Sequence, residues 1–123
     1  MNKIDEHKSF GGWQRRYTHE SKSCDCEMTF SVYLPPQAQA APVPAVYYLS
    51  GLTCTDENFV NKAGAQRMAS ELGLALIAPD TSPRGHGLPG EDDDYDFGSG
   101  AGFYLNATQV PWAGKYNMYD YIV

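Results

Sequence analysis

Between residues 27 and 34 the side chains alternate. Met28, Phe30, Val32 and Leu34 are apolar and interleave with Glu27, Thr29, Ser31 and Tyr33. A period of two sends the two sets to opposite faces of a β-strand, so this stretch predicts a strand with one core face and one wetter face. Pro35-Pro36 ends it, because proline offers no N–H to a strand ladder. Gly12–Glu20 reads as a first, polar-faced strand. Ala45-Val46-Tyr47-Tyr48-Leu49 is almost continuously apolar, the pattern of a parallel strand buried on both faces. Farther along, Ala65, Met68, Ala69 and Leu72 recur at i, i+3, i+4 and i+7 and predict a short amphipathic helix. Gly73 stands where a C′ glycine closes such a helix. Leu74–Ala78 is a second buried strand, stopped by Pro79. Strand, helix and strand within this span predict a parallel crossover, and hence an α/β fold. Asp80–Lys115 is glycine-rich, aromatic and irregular, a length of loop that in a compact domain usually serves function. Tyr116–Val123 reads as the start of a further helix.

Composition narrows the picture. The 123 residues suffice for one domain at most, and a hydrophobic content of 42% is that of a globular chain. The net charge of −6 argues against a nucleic-acid partner, whose phosphates demand basic patches. The longest apolar runs fall far short of the ~20 residues that span a bilayer. The start, Met1-Asn2-Lys3-Ile4-Asp5-Glu6, carries no apolar leader segment, so the three cysteines are expected to be reduced cytosolic thiols.

Few residues offer chemistry. Ser50-Gly51-Leu52-Thr53-Cys54-Thr55 follows a buried strand, at the carboxyl edge where open α/β sheets place their ligands. Gly51 would let the backbone turn sharply and aim the next N–H into a cleft, as a donor to a developing oxyanion. The alternative is an ordinary strand-to-helix turn with Thr55 as N-cap. Cys54 could be a nucleophile, a thiol beside a pocket or a small buried hydrophobe. Nucleophilicity needs a base, and only His7, His19 and His86 are available. Cys24-x-Cys26 has no second ligand pair to complete a zinc site, and reads as two surface or strand-edge cysteines. Glu91-Asp92-Asp93-Asp94-Tyr95-Asp96 lacks calcium-loop spacing and reads as a solvated loop. The aromatic group Phe97, Phe103, Tyr104, Trp112, Tyr116, Tyr119 and Tyr121 could wall a pocket or pin the long loop to the body. No serine from Ser9 to Ser99 has glycine both two residues before and two after it, so no nucleophile elbow is present.

Taken in order, many blocks of this chain resemble S-formylglutathione hydrolases, the esterase D group of carboxylesterases. They are Phe10-Gly11-Gly12, Cys26-Glu27-Met28, Val32-Tyr33-Leu34-Pro35-Pro36, Tyr48-Leu49-Ser50-Gly51-Leu52-Thr53-Cys54 and Asn58-Phe59. They continue through Ala78-Pro79-Asp80-Thr81-Ser82-Pro83-Arg84-Gly85, Gly100-Ala101-Gly102-Phe103-Tyr104, Ala107-Thr108-Gln109, Pro111-Trp112 and Met118-Tyr119-Asp120-Tyr121-Ile122. The resemblance implies the N-terminal portion of a single α/β-hydrolase domain, with a central, mostly parallel sheet and antiparallel first strands. It implies a serine-dependent, cytoplasmic hydrolase of S-formylglutathione and small acyl esters, acting in formaldehyde detoxification. It implies no metal or organic cofactor, no nucleic-acid or membrane partner, and a homodimer when complete. The Leu52 N–H would be an oxyanion donor, with Gly51, Cys54, Phe103, Tyr104 and Trp112 against the substrate. The triad serine, aspartate and histidine are expected beyond Val123, so the isolated chain is expected to be inactive. The partner it then needs is the remainder of the hydrolase domain, possibly a second chain. Two alternatives remain at this stage: one chain of a split esterase, and a non-catalytic binding or structural module derived from the same fold.

Overall fold

A computed structural model describes residues 1–123. One open sheet of five strands organises it: β1 (Asn2–Ser9), β2 (Gly12–Ser21), β3 (Cys26–Leu34), β4 (Ala45–Tyr47) and β5 (Ala75–Pro79), in the order β1-β2-β3-β5-β4. The first three form an antiparallel meander, β3 also runs antiparallel to β5, and β4 lies parallel to β5. The antiparallel opening is as expected from the sequence. Within these residues the parallel part is confined to the β4–β5 pair. A 3₁₀ turn at Pro36–Gln39 and three short helices, α1 (Glu57–Lys62), α2 (Gln66–Leu72) and α3 (Met118–Ile122), complete the regular structure.

Several expectations hold at the residue level. β3 takes the expected place, and α2 closes as expected. Gly73 adopts the left-handed conformation at φ 70°, and the N–H groups of Gly73 and Leu74 both bond the Ala69 carbonyl. That arrangement satisfies the carbonyls the last turn would leave orphaned. Leu74 then packs beside Tyr33, Ala69 and Leu76.

Other expectations need correction. Gly12–Glu20 is not the first strand, because β1 precedes it. β1 escapes periodicity since seven of its eight residues, NKIDEHKS, are polar or charged; both faces of this edge meet water. β3 is not dry on one face and wet on the other, for Ser31 and Tyr33 are buried as deeply as Met28 and Val32. α1 and α2 cover the Ser31–Tyr33 face. Asp56 accepts the Ser31 hydroxyl at 2.6 Å and both arms of the Arg16 guanidinium at 2.8 and 3.0 Å, stitching the start of α1 to β2 and β3. On the other face Met28 packs with Cys24 and Met118, so Cys24 is a core residue rather than a surface one. Ala45–Leu49 is not buried on both faces. Only three residues pair, β4 is an edge strand, and Val46 and Leu49 keep 45% and 41% of their surface in water. Hydrophobicity reports that a strand wants cover, but not whether cover is present. The acidic run is not wholly solvated. Glu91 is buried and accepts the His86 and Leu88 N–H groups, while Asp92–Asp96 stay exposed.

Candidate active site

Leaving β4, the chain enters a tight turn in which the Cys54 N–H bonds the Gly51 carbonyl at 3.2 Å. The left-handed residue of this turn is Thr53, at φ 65°, and not Gly51. A β-branched residue there is strained, by about 1–3 kcal/mol, and such strain persists only where the surroundings enforce it. Here they do. The Thr53 N–H donates to the Gly100 carbonyl at 2.8 Å, and the Thr53 hydroxyl to the Leu52 carbonyl at 2.6 Å. The Cys54 carbonyl accepts the Thr81 hydroxyl at 2.6 Å and the Arg84 guanidinium at 3.2 Å. Arg84 is itself locked on Asp80 by two bonds of 2.8 and 2.9 Å, an ion pair that raises the guanidinium pKa above its ordinary value. The Ser50 carbonyl accepts the Tyr104 hydroxyl. Burial pushes that phenol up to about 12, so it stays a donor throughout the ordinary pH range.

With the Thr53 and Cys54 N–H groups taken, the Leu52 N–H, like those of Ser50 and Gly51, meets no acceptor within the protein. It sits before α1, which begins only at Glu57, so it is not an orphan of that helix. The capping alternative describes the next step of the chain. The Thr55 hydroxyl accepts the Glu57 N–H at 3.2 Å, as an N-cap does, although the helix boundary falls at Asp56. The capping reading thus applies to Thr55 and leaves the Leu52 N–H without a partner.

Beside the turn opens a cleft of about 370 Å³. Its apolar wall is Phe97, Phe103, Leu105 and Trp112, its floor includes Ala101 and Met118, and Thr81 and Ser82 add polar edges. Trp112 meets Phe97 edge-on at 4.9 Å and Tyr116 at 5.0 Å, each geometry favourable for aromatic pairs. The expected substrate residues divide accordingly. Phe103 and Trp112 line the cleft; Tyr104 faces Ser50, and Gly51 and Cys54 belong to the turn. Of the other aromatics, Tyr121 stacks on His19 and packs against the Cys24 cluster, pinning the loop to the body. No histidine attends Cys54. His19 bonds the Tyr121 hydroxyl, His86 bonds the Cys24 carbonyl at 2.8 Å, and His7 lies on exposed β1. A cysteine nucleophile without a base is not built here.

Gly102 connects cleft and turn. It lines the cleft, and a Cβ placed on it would lie 3.0 Å from the Gly51 carbonyl carbon and 3.2 Å from the Leu52 nitrogen. Gly102, Ser82 and Arg84 carry this geometry, yet periodicity and motif reading singled out none of them. The signals present were the glycine spacing Gly98-x-Gly100-x-Gly102 and the place of Gly102, Ser82 and Arg84 in the blocks that carry the family resemblance.

A family model described as "Putative esterase" matches residues 21–122. The chain belongs to this esterase family. The chain is 55% identical, over 99% of its length, to an S-formylglutathione hydrolase of Rattus norvegicus, of which it covers 43%. It superposes with a TM-score of 0.95 and 52% identity on an S-formylglutathione hydrolase from Agrobacterium tumefaciens, covering 99% of this chain and 44% of that one. A Staphylococcus aureus S-formylglutathione hydrolase shares the fold at 17% identity and a TM-score of 0.52, over 89% of this chain and 39% of that one. The chain thus spans less than half the length of the first two of these relatives.

Proposed function

We propose that residues 1–123 form the oxyanion-donor side and one cleft wall of an S-formylglutathione hydrolase. The observation that carries this reading is the unpaired Leu52 N–H, fixed at the carboxyl edge of the sheet beside an apolar cleft. The high identity to named S-formylglutathione hydrolases supports the choice of substrate. In the proposed reaction a serine outside these residues attacks the formyl thioester carbonyl, activated by a histidine that a carboxylate orients. Charge then builds on the carbonyl oxygen, and the Leu52 N–H meets it without having to leave another partner. A donor already in place is worth more than one that must reorganise. Collapse of the tetrahedral adduct expels glutathione as the thiol, and water releases formate from the acyl-serine. Phe103 and Trp112 would exclude water from the acyl group, and the small formyl group leaves room for other small acyl esters. The same reading makes the complete enzyme a cytoplasmic homodimer that works without metal or organic cofactor.

Titration with a serine-reactive phosphonate tests this. The intact hydrolase domain, residues 1–123 joined to the portion that supplies the serine, should take up one equivalent per domain and lose S-formylglutathione hydrolysis in step. The 123-residue polypeptide alone should take up none. Absence of thioester hydrolysis by the intact domain, or labelling of a residue within 1–123, would contradict the proposal.

A further inference from the structure

The turn that presents Leu52 is held from outside by Thr81 and Arg84 at the Cys54 carbonyl and, around Leu52 itself, by one segment, Gly100–Tyr104. Three successive alternate residues each touch a different part of it. Gly100 offers its carbonyl to the Thr53 N–H at 2.8 Å. Gly102, at φ 74°, lies flat against the Gly51–Leu52 peptide, leaving 3.0 Å and 3.2 Å where a Cβ would stand. Tyr104 donates its hydroxyl to the Ser50 carbonyl. The segment is itself anchored, for the Gly100 N–H donates to the buried Ser82 hydroxyl at 2.7 Å, just beyond β5. Ser82 in turn donates to the Pro83 carbonyl at 2.8 Å, so its hydroxyl both accepts and donates.

We propose that Gly102 and Tyr104 are positioning residues for the oxyanion donor: Tyr104 fixes the peptide plane before Gly51, and Gly102 permits the close approach that fixes the peptide of Leu52. A backbone donor has no rotamer to select, and its direction is that of its peptide plane. The flanking carbonyl and the surface behind it therefore set the aim. The strained Thr53 is consistent with a turn shaped by its surroundings rather than by its own sequence. Any side chain on Gly102 meets backbone atoms of residues 51 and 52, which cannot move aside without rotating that peptide. This inference rests on the oxyanion reading above and adds the residues that make it work.

The test uses the intact hydrolase domain carrying Gly102→Ala or Tyr104→Phe, assayed with S-formylglutathione and with a trifluoromethyl ketone that forms a tetrahedral adduct. Outright loss of an oxyanion donor costs about 10²–10³ in kcat. Misdirection by Gly102→Ala should lower kcat about 10- to 100-fold with KM changed little, and affinity for the ketone should fall in the same proportion as kcat/KM. Tyr104→Phe keeps the ring and deletes one bond, and should move kcat and ketone affinity the same way by about 3- to 10-fold, a fraction of the full donor effect. If Gly102→Ala does not fold, Tyr104→Phe alone decides. A lower melting temperature with kcat and ketone affinity unchanged marks a merely structural role and overturns the inference. An inactive parent enzyme overturns the functional reading and this inference together. An active parent with indifferent variants overturns the inference alone.

Discussion

The two edges of the sheet are opposites. β1 is an edge built for water. Its side chains are charged or polar apart from Ile4, its register slips between Lys3 and Asp5, and Glu6 ties Lys3 and Arg15 together at 2.7 and 2.6 Å. Charges and irregular register are the usual means of keeping an exposed edge from pairing. β4 carries none of these. Val46, Tyr47, Tyr48 and Leu49 form an uncharged run with a regular, parallel register, and all four stand exposed. One edge ends the sheet and the other invites its continuation. The free Leu52 N–H follows the carboxyl end of this second edge strand, so the proposed donor sits beside the edge at which further strands of a hydrolase domain would add.

Matched substitutions sharpen that contrast most. In the intact domain Val46→Asp should abolish recovery of folded protein, because it would bury an unpaired charge. Ile4→Asp should shift stability by only about 0.5 kcal/mol, as surface changes do. Chemical denaturation of the two variants checks this, and equal losses would erase the distinction between the edges. Next in size is Asp56→Ala. Asp56 keeps 1% of its side chain in water and anchors Arg16 and Ser31; its removal leaves the buried Ser31 hydroxyl without its acceptor and the part-exposed Arg16 with Glu57 alone, and should cost about 1–3 kcal/mol in urea unfolding. The smallest effect belongs to the β1 edge. Glu6 is held below the ordinary carboxylate range, first by the Lys3 ammonium and then by Arg15. A depressed pKa adds stability above the unfolded value and loses it as pH falls through the folded one. Glu6→Gln should therefore leave the melting temperature unchanged at pH 7 within error. Any difference should fade below the ordinary value of 4.5 and in molar salt.

The same contrast governs what was legible beforehand. β3, α2 with its closing Gly73, and β5 announce themselves through apolar residues and their terminators, although β3 and β5 are covered on both faces and the α2 stripe leaves Met68 and Leu72 51% and 62% exposed. β1 leaves no trace, since an edge in water imposes no apolar pattern. The run Ala45–Leu49 gives the right strand and the wrong burial, because apolarity is a property of the sequence and cover is a property of neighbours. In the site, the turn at Ser50–Thr55 and the aromatics of the cleft can be found from composition and position. The grip of Gly100–Tyr104 cannot, because it joins segments about fifty residues apart and, apart from the Tyr104 hydroxyl, uses backbone groups that carry no sequence signal. Burial of Ser31 and Tyr33 was hidden for a similar reason: each is a polar side chain made tolerable inside by one distant partner, Asp56 and the Ser9 carbonyl respectively, whereas Glu91 is satisfied locally by the His86 and Leu88 N–H groups.

The central claim is that the Leu52 N–H is held free for an oxyanion, and it is tested most directly by a structure of the intact domain with a trifluoromethyl ketone bound to its serine. The account predicts a Leu52 nitrogen about 2.7–3.1 Å from the adduct oxygen, with the Ser50 carbonyl still on Tyr104. A nitrogen turned away from that oxygen, or bonded to another protein group, would contradict it.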